Sequence, residues 1–126
     1  MTIYKSYKIC FLIKKASFMN IDSLEKSLLG IQQFRERMPE QSNAYLNFTE
    51  KVKSEGKIPQ KFKSLINISL SIQARCKECI LFNTENAIQE GATAEEISEA
   101  AMIAVAMSGG PSMMYLKYVI EVINEH

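Results

Sequence analysis

Apolar and polar positions follow helical periods over most of this chain. From Asp22 onward, Leu24, Leu28, Ile31 and Phe34 recur at three- and four-residue steps, and Pro39 closes the stretch, which predicts an amphipathic helix. A second helix is expected from about Glu40 to Ser54, with Tyr45, Leu46, Phe48 and Val52 as its apolar residues and Gly56 as the left-handed residue that ends it. Lys77 to Glu90 reads as a further helix ending at Gly91. The next opens with a capping box, in which Thr93 accepts from the Glu96 N–H while the Glu96 side chain reaches back. Behind it, Ile97, Ala100, Ala101, Ala104 and Val105 form a stripe of mostly small side chains that lets a neighbouring helix approach closely. Ser108-Gly109-Gly110-Pro111 breaks the chain, and Ser112 to Asn124 is expected as a last helix bearing Met113, Leu116, Val119, Ile120 and Ile123.

One segment has two readings. Ile66, Ile68, Leu70 and Ile72 alternate strictly with Asn67, Ser69 and Ser71, which alone is a strand signal. Over the wider window from Gln60 to Cys76, Phe62, Leu65, Ile66, Ser69, Leu70 and Ile72 suit a helix buried on most of its circumference, with Pro59 just ahead of its first turn. Period alone does not separate the two for a short apolar run. With six helical segments, and no second strand for a lone strand to pair with, the expected fold is an all-α bundle of about six helices.

The chain has 126 residues, enough for one domain with a hydrophobic core and too few for two of ordinary size. Residues 1–19 are expected as an N-terminal arm, poorly ordered or upstream of the natural start, and residues 20–126 as the domain. With 47% hydrophobic residues, 23% charged and a net charge of +1, composition is that of a soluble globular protein and gives no reason to expect nucleic acid or an anionic membrane as partner. The longest early apolar run, Ile9-Cys10-Phe11-Leu12-Ile13, is shorter than the roughly 7 to 15 residues of a signal-peptide core. Nothing here targets the chain out of the cytosol, so a cytoplasmic location is expected. The three cysteines, Cys10, Cys76 and Cys79, are too few and odd in number for a disulfide framework, which also fits a reducing compartment.

Two of them carry the chemistry. In Arg75-Cys76-Lys77-Glu78-Cys79 the thiols stand one helical turn apart, on one face and within disulfide reach. An ordinary thiol with pKa ~8.5 is only about 3% ionised at pH 7, so a helix N-terminus and the basic Arg75 and Lys77 decide whether thiolate forms. Glu78 works against them. Structural zinc needs four ligands, and only Cys10 and the terminal His126 remain, while covalent haem needs a histidine where Ile80 stands. A thioredoxin-type site needs an α/β sheet that this chain lacks. Two inert core cysteines are the other reading. No cofactor or metal is expected. Met102, Met107, Met113 and Met114 read as core or subunit contacts, and Gly109-Gly110 as a tight turn rather than an anion cradle. His126, at the end of the chain, is not expected to act in catalysis.

The run Ala74-Arg75-Cys76-Lys77-Glu78-Cys79-Ile80, followed by Asn86-Ala87, Glu90-Gly91-Ala92-Thr93, Glu95-Glu96-Ile97, Glu99-Ala100 and Ser108-Gly109-Gly110-Pro111, resembles the carboxymuconolactone decarboxylase and alkylhydroperoxidase D-like family over about residues 40 to 124. The resemblance implies an all-α fold in which Gln60 to Cys76 is a helix leading into the CxxC, and a homo-oligomer, a trimer or hexamer. It implies a hydroperoxide substrate, with Cys79 attacked by the peroxide, Cys76 resolving the sulfenic acid as a disulfide, and an external dithiol reductant such as a lipoyl-bearing protein.

The chain departs from the family pattern at the proton relay. Where active members carry a glutamate twelve residues before the first cysteine and a histidine four after the second, this sequence has Ser64 and Asn83. Neither is a general base, and such assistance typically supplies about 10²- to 10⁴-fold in rate, so a weakened peroxidase is expected. Glu78 and Glu85 are the nearest acids in sequence. The alternatives are a non-redox decarboxylase, which the CxxC and the lack of acid-base residues fit poorly, and an impaired oligomeric module whose thiols sense redox state or merely pack.

Overall fold

The computed structural model describes residues 21–126, and the arm expected over residues 1–19, with Cys10, lies outside them. Seven helical segments follow one another: α1 (Ile21–Arg37), α2 (Pro39–Lys53), α3 (Gln60–Gln73), α4 (Lys77–Gln89), α5 (Ala94–Ser108), the single turn α6 (Gly110–Met113) and α7 (Leu116–Ile123). Among the described residues there is no strand. The chain divides into two compact units between Ala44 and Tyr45, within α2, and the second holds the CxxC and the core described below.

The ambiguous segment is helical, and its misleading pattern has a physical origin. Ile68 and Ile72, one turn apart, are fully buried, and Leu65 lies beside them at the core. Phe62, Ile66 and Leu70, also one turn apart, point outward, with Ile66 47% and Leu70 58% exposed. Two apolar stripes of four-residue step, offset by two, together place an apolar residue at every second position. The alternation is thus that of a helix with two apolar faces, not of a strand with one.

In the core, α3 packs on α4 and α5, and α4 packs on α7. Ile68, Ile72, Ile80, Ala87, Ile97 and Val119 form its centre. The predicted small stripe of α5 is buried at Ala100, Ala101 and Ala104, close enough to α3 that two of its side chains bond to α5 carbonyls: Ser69 Oγ donates to Ala100 O, and Gln73 Nε2 donates to Ala104 O at 2.9 Å. The methionines do not join this core. Met102, Met107, Met113 and Met114 are all exposed.

Three local expectations shift. Gly56 does not end α2 in the left-handed region; the glycines found there are Gly91 and Gly109. Instead Lys63 Nζ reaches across from α3 and donates to Val52 O at 2.8 Å and Ser54 O at 2.7 Å, satisfying carbonyls that the end of α2 leaves open. Met38 alone separates α1 from α2, and Pro39 is the first residue of α2, where its missing N–H costs nothing. The expected last helix is split into α6 and α7, with Val119 and Val122 of α7 in the core.

The capping box forms as expected. Thr93 Oγ1 accepts from the Glu96 N–H at 3.1 Å and the Thr93 N–H donates to Glu96 Oε2 at 2.9 Å, while Lys61 Nζ holds Glu96 Oε1 at 2.8 Å. The Lys61 and Thr93 hydrogen bonds lower the Glu96 carboxyl below its ordinary 4.5. Its contribution is therefore complete above pH 4.5 and is lost as pH falls through the lowered value. Glu96→Gln is expected to lower the urea midpoint at pH 7, and wild type and variant should converge on acidification below that range; a gap that persists at low pH would contradict the assignment.

Candidate functional site

The CxxC lies where α3 turns into α4 through three residues, Ala74, Arg75 and Cys76. Helix α3 ends in a Schellman motif: the Arg75 N–H donates to Ile72 O at 3.0 Å and the Cys76 N–H to Ser71 O at 3.2 Å, with Arg75 at φ 54°. Cys76 then serves as N-cap of α4, its Sγ accepting from the Cys79 N–H at 3.3 Å. The expected placement of the pair at a helix N-terminus is what the structure shows. The two sulfurs are joined as a disulfide across a Cα–Cα separation of 5.2 Å. Cys79 is exposed and Cys76 half-buried.

The same motif ends α4, where the Gly91 N–H donates to Ile88 O at 3.0 Å and the Ala92 N–H to Ala87 O at 2.9 Å, with Gly91 at φ 87°. There the left-handed position holds glycine, the residue it favours. Beside the cysteines it holds Arg75, whose Cβ makes the conformation cost roughly 1–2 kcal/mol.

The other side chains singled out by sequence are dispersed along the α3–α4 hairpin. Asn83, one turn past Cys79, donates through Nδ2 to Ser71 Oγ at 2.8 Å, and Ser71 Oγ lies 2.6 Å from Asn67 O. A carbonyl only accepts, so the Ser71 proton is committed to Asn67 and the hydroxyl receives the Asn83 amide. Ser64 is buried and its hydroxyl bonds to Glu90 Oε2 at 2.7 Å, while Gln60 Nε2 holds Glu90 Oε1 at 3.0 Å. Glu90 lies eleven residues beyond Cys79, about 16 Å along the helix axis at 1.5 Å per residue, so Ser64 sits at the far end of the hairpin from the sulfurs. Glu78 stands half-buried in the first turn of α4. Glu85 is engaged elsewhere, with Oε2 2.8 Å from His126 Nε2 and Oε1 accepting from Gln89 Nε2 at 3.1 Å. Among the described residues, no group of His, Cys, Asp and Glu is arranged to hold a metal ion.

Sequence reading missed Ser71, Lys117 and Tyr118. Ser71 had a signal: in a tight helical hairpin, residues equidistant from the turn face one another, and Ser71 and Asn83 lie six positions either side of Lys77, as Ser64 and Glu90 lie thirteen. Tyr118 of α7 carries two cations, Lys77 Nζ 5.4 Å and Lys117 Nζ 5.0 Å from its ring centroid, and Tyr115 packs beside it at 6.0 Å. Lys53 Nζ lies 5.9 Å from the ring centroid of Phe82, one turn past Cys79.

Fold and site together define an all-α protein with a disulfide-forming CxxC at a helix N-terminus. The chain belongs to the carboxymuconolactone decarboxylase family, whose model matches residues 39–121, well over half its length. It is similar to a carboxymuconolactone decarboxylase family protein of Legionella pneumophila, with 30% identity and a TM-score of 0.78 over 84% of this chain and 96% of that one. It is also similar to a Thermotoga maritima member for which a part in the antioxidative response has been suggested, with 26% identity and a TM-score of 0.73 over 82% and 88%. An uncharacterized protein of Cupriavidus necator is 34% identical over 61% of this chain and 68% of its own length.

Arg75→Gly should relieve the left-handed strain at the cost of a more flexible unfolded chain, a net stabilisation of about 0.5–1 kcal/mol. Urea denaturation checks this, and a destabilised variant would contradict it.

Proposed function

We propose that this protein is a dithiol hydroperoxide reductase whose proton relay has been lost. The observation that carries this reading is the pairing of an exposed Cys79 with a Cys76 that both reaches it as a disulfide and caps α4. In the reduced protein, Cys79 thiolate attacks the peroxide, the O–O bond breaks, sulfenic acid forms and the alkoxide leaves to take up a proton. Cys76 thiolate then attacks the Cys79 sulfur, the S–S bond forms, and the hydroxyl leaves as water once protonated. The peroxide gains two electrons and the two cysteines lose them. Cys76 is suited to resolve because the α4 N-terminus favours its thiolate. An external dithiol closes the cycle, and a lipoyl-bearing protein in a reducing cytoplasm would suit that role.

Asn83 and Ser64 supply no base, since one is an amide held by Ser71 and the other a hydroxyl held by Glu90. Thiolate must then form without assistance. Single-turnover oxidation of the reduced protein by an organic hydroperoxide should quicken as pH rises from 7 to 9. Cys76→Ser should accumulate sulfenic acid at Cys79, detectable by dimedone labelling. No oxidation of Cys79 even at pH 9 would overturn the proposal and leave a redox-sensing or packing role.

We further propose that the chain assembles as a homo-oligomer, a trimer or hexamer. The support is apolar surface: besides the outward stripe of α3, α5 exposes Ile103 and Met107, the latter at 79%, and α2 buries none of its side chains. Leu70→Lys should reduce the mass measured by light scattering while leaving helical circular dichroism intact. An unchanged mass, or a monomeric wild type, would contradict this.

A further inference from the structure

We infer that Cys76 acts one step before it resolves the sulfenic acid, as the base that takes the Cys79 proton and the acid that hands it to the departing alkoxide. The inference rests on the peroxidase reading above and supplies a proton path that Asn83 and Ser64 do not.

Backbone bonds, rather than the disulfide, set the position of Cys76. Its N–H donates to Ser71 O at 3.2 Å and its carbonyl accepts the Ile80 N–H at 3.0 Å, so the last turn of α3 and the first turn of α4 both hold it. Cys79 follows within that first turn, with the two Cα atoms 5.2 Å apart. Reduction leaves these bonds in place, and the two sulfurs stay within reach of an S–H···S hydrogen bond.

The two thiols differ in what stabilises their charge. Cys76 Sγ accepts the Cys79 N–H at 3.3 Å at the positive end of α4, whereas among the described residues no N–H donates to Cys79 Sγ. Half-burial of Cys76 opposes its charge, and the direct N–H offsets that cost. Charged side chains do not separate the pair in the same way. The turn itself carries Arg75 and Lys77 with Glu78, and α3 has no charged residue between Ser64 and Ala74. Packed on α4, α7 brings Lys117 with Glu121 one turn on, and Lys53 of α2, over Phe82, comes with Glu50. The acids of α5, Glu95, Glu96 and Glu99, lie in its first two turns, just after the opposite end of α4. Each source near the pair sets a cation beside an acid, so the N-cap bond decides the order of ionisation. The thiolate that forms unaided is that of Cys76.

The proton then has one short path. Cys76 thiolate accepts the Cys79 S–H proton, and the Cys79 thiolate attacks the terminal oxygen of the hydroperoxide. An S–O bond forms, the O–O bond breaks, and the alkoxide leaves with the electron pair. The Cys76 thiol gives the same proton to that alkoxide, which releases the alcohol and restores the Cys76 thiolate. That thiolate is the species that attacks the sulfenic sulfur, and the hydroxide it displaces takes a proton from solvent.

The test uses the full chain with Cys10→Ser as parent, and adds Cys76→Ser or Cys79→Ser, each checked for unchanged helical circular dichroism. Ultraviolet thiolate absorbance and iodoacetamide alkylation follow the one remaining thiol of each variant without any peroxide. Cys76 in the Cys79→Ser protein should ionise about one pH unit or more below Cys79 in the Cys76→Ser protein. Equal or reversed order would overturn the inference. Single-turnover oxidation of Cys79 by an organic hydroperoxide should be about tenfold slower at pH 7 in Cys76→Ser than in the parent, since an ordinary thiol is only about 3% ionised there. Its midpoint should move to higher pH, and the two rates should converge near pH ~10, where Cys79 ionises without help. Cys76→Asn, which also keeps a capping side chain, should match Cys76→Ser. A variant rate equal to the parent's at pH 7 would overturn the inference while leaving Cys79 as the attacking sulfur. No oxidation of Cys79 in the parent at any pH would instead strike the peroxidase reading itself.

Discussion

The junction of α3 with α4 is the constraint on which the rest of this structure depends. Cys76 donates its backbone N–H to the last turn of α3 and offers its sulfur to the first turn of α4, so one residue closes one helix and opens the next. Because only the three-residue turn Ala74–Cys76 intervenes, the register of the hairpin is fixed. That register sets Asn83 against Ser71 and Glu90 against Ser64, and lets Ile68, Ile72, Ile80 and Ala87 meet in one core. A longer connection would let the two helices slide past one another, and each of these pairings would change together.

The polar ladder along that hairpin leaves Ser71, Asn83 and Ser64 all engaged. Each polar group on it already has a partner: the Ser71 proton goes to a carbonyl, the Asn83 amide to the Ser71 oxygen and the Ser64 hydroxyl to Glu90. Buried polar groups are costly when left unpaired, and these pairings spare the hairpin that cost. Thr84 is the exception, fully buried with an unpartnered hydroxyl among the described residues, and nothing in the structure accounts for it.

What the sequence disclosed followed from local rules, and what it hid depended on tertiary partners. The Thr93–Glu96 capping box and the small face of α5 were legible because their donors, acceptors and periods lie within one turn or one helix. The helical state of α3 was obscured because it has two apolar faces, and only the fold reveals that one of them is left outside. Gly56 drew attention as a helix terminator, yet a lysine eleven residues beyond Val52 does that work, and no local pattern signals such a reach. At the site, the cysteines and their helix terminus were readable from spacing. Lys117 and Tyr118 were not, because α7 returns to the CxxC only through packing on α4.

The double duty of Cys76 means that deleting its sulfur and deleting its cap are different operations. Alanine removes both the thiol and the acceptor that caps α4, so any loss of reactivity is mixed with a loosened first turn in which Cys79 itself resides. Serine is among the preferred N-cap residues, and it separates the two roles by keeping the acceptor and discarding the redox chemistry. Comparing the two replacements therefore divides what Cys76 contributes as a reagent from what it contributes as a piece of the scaffold.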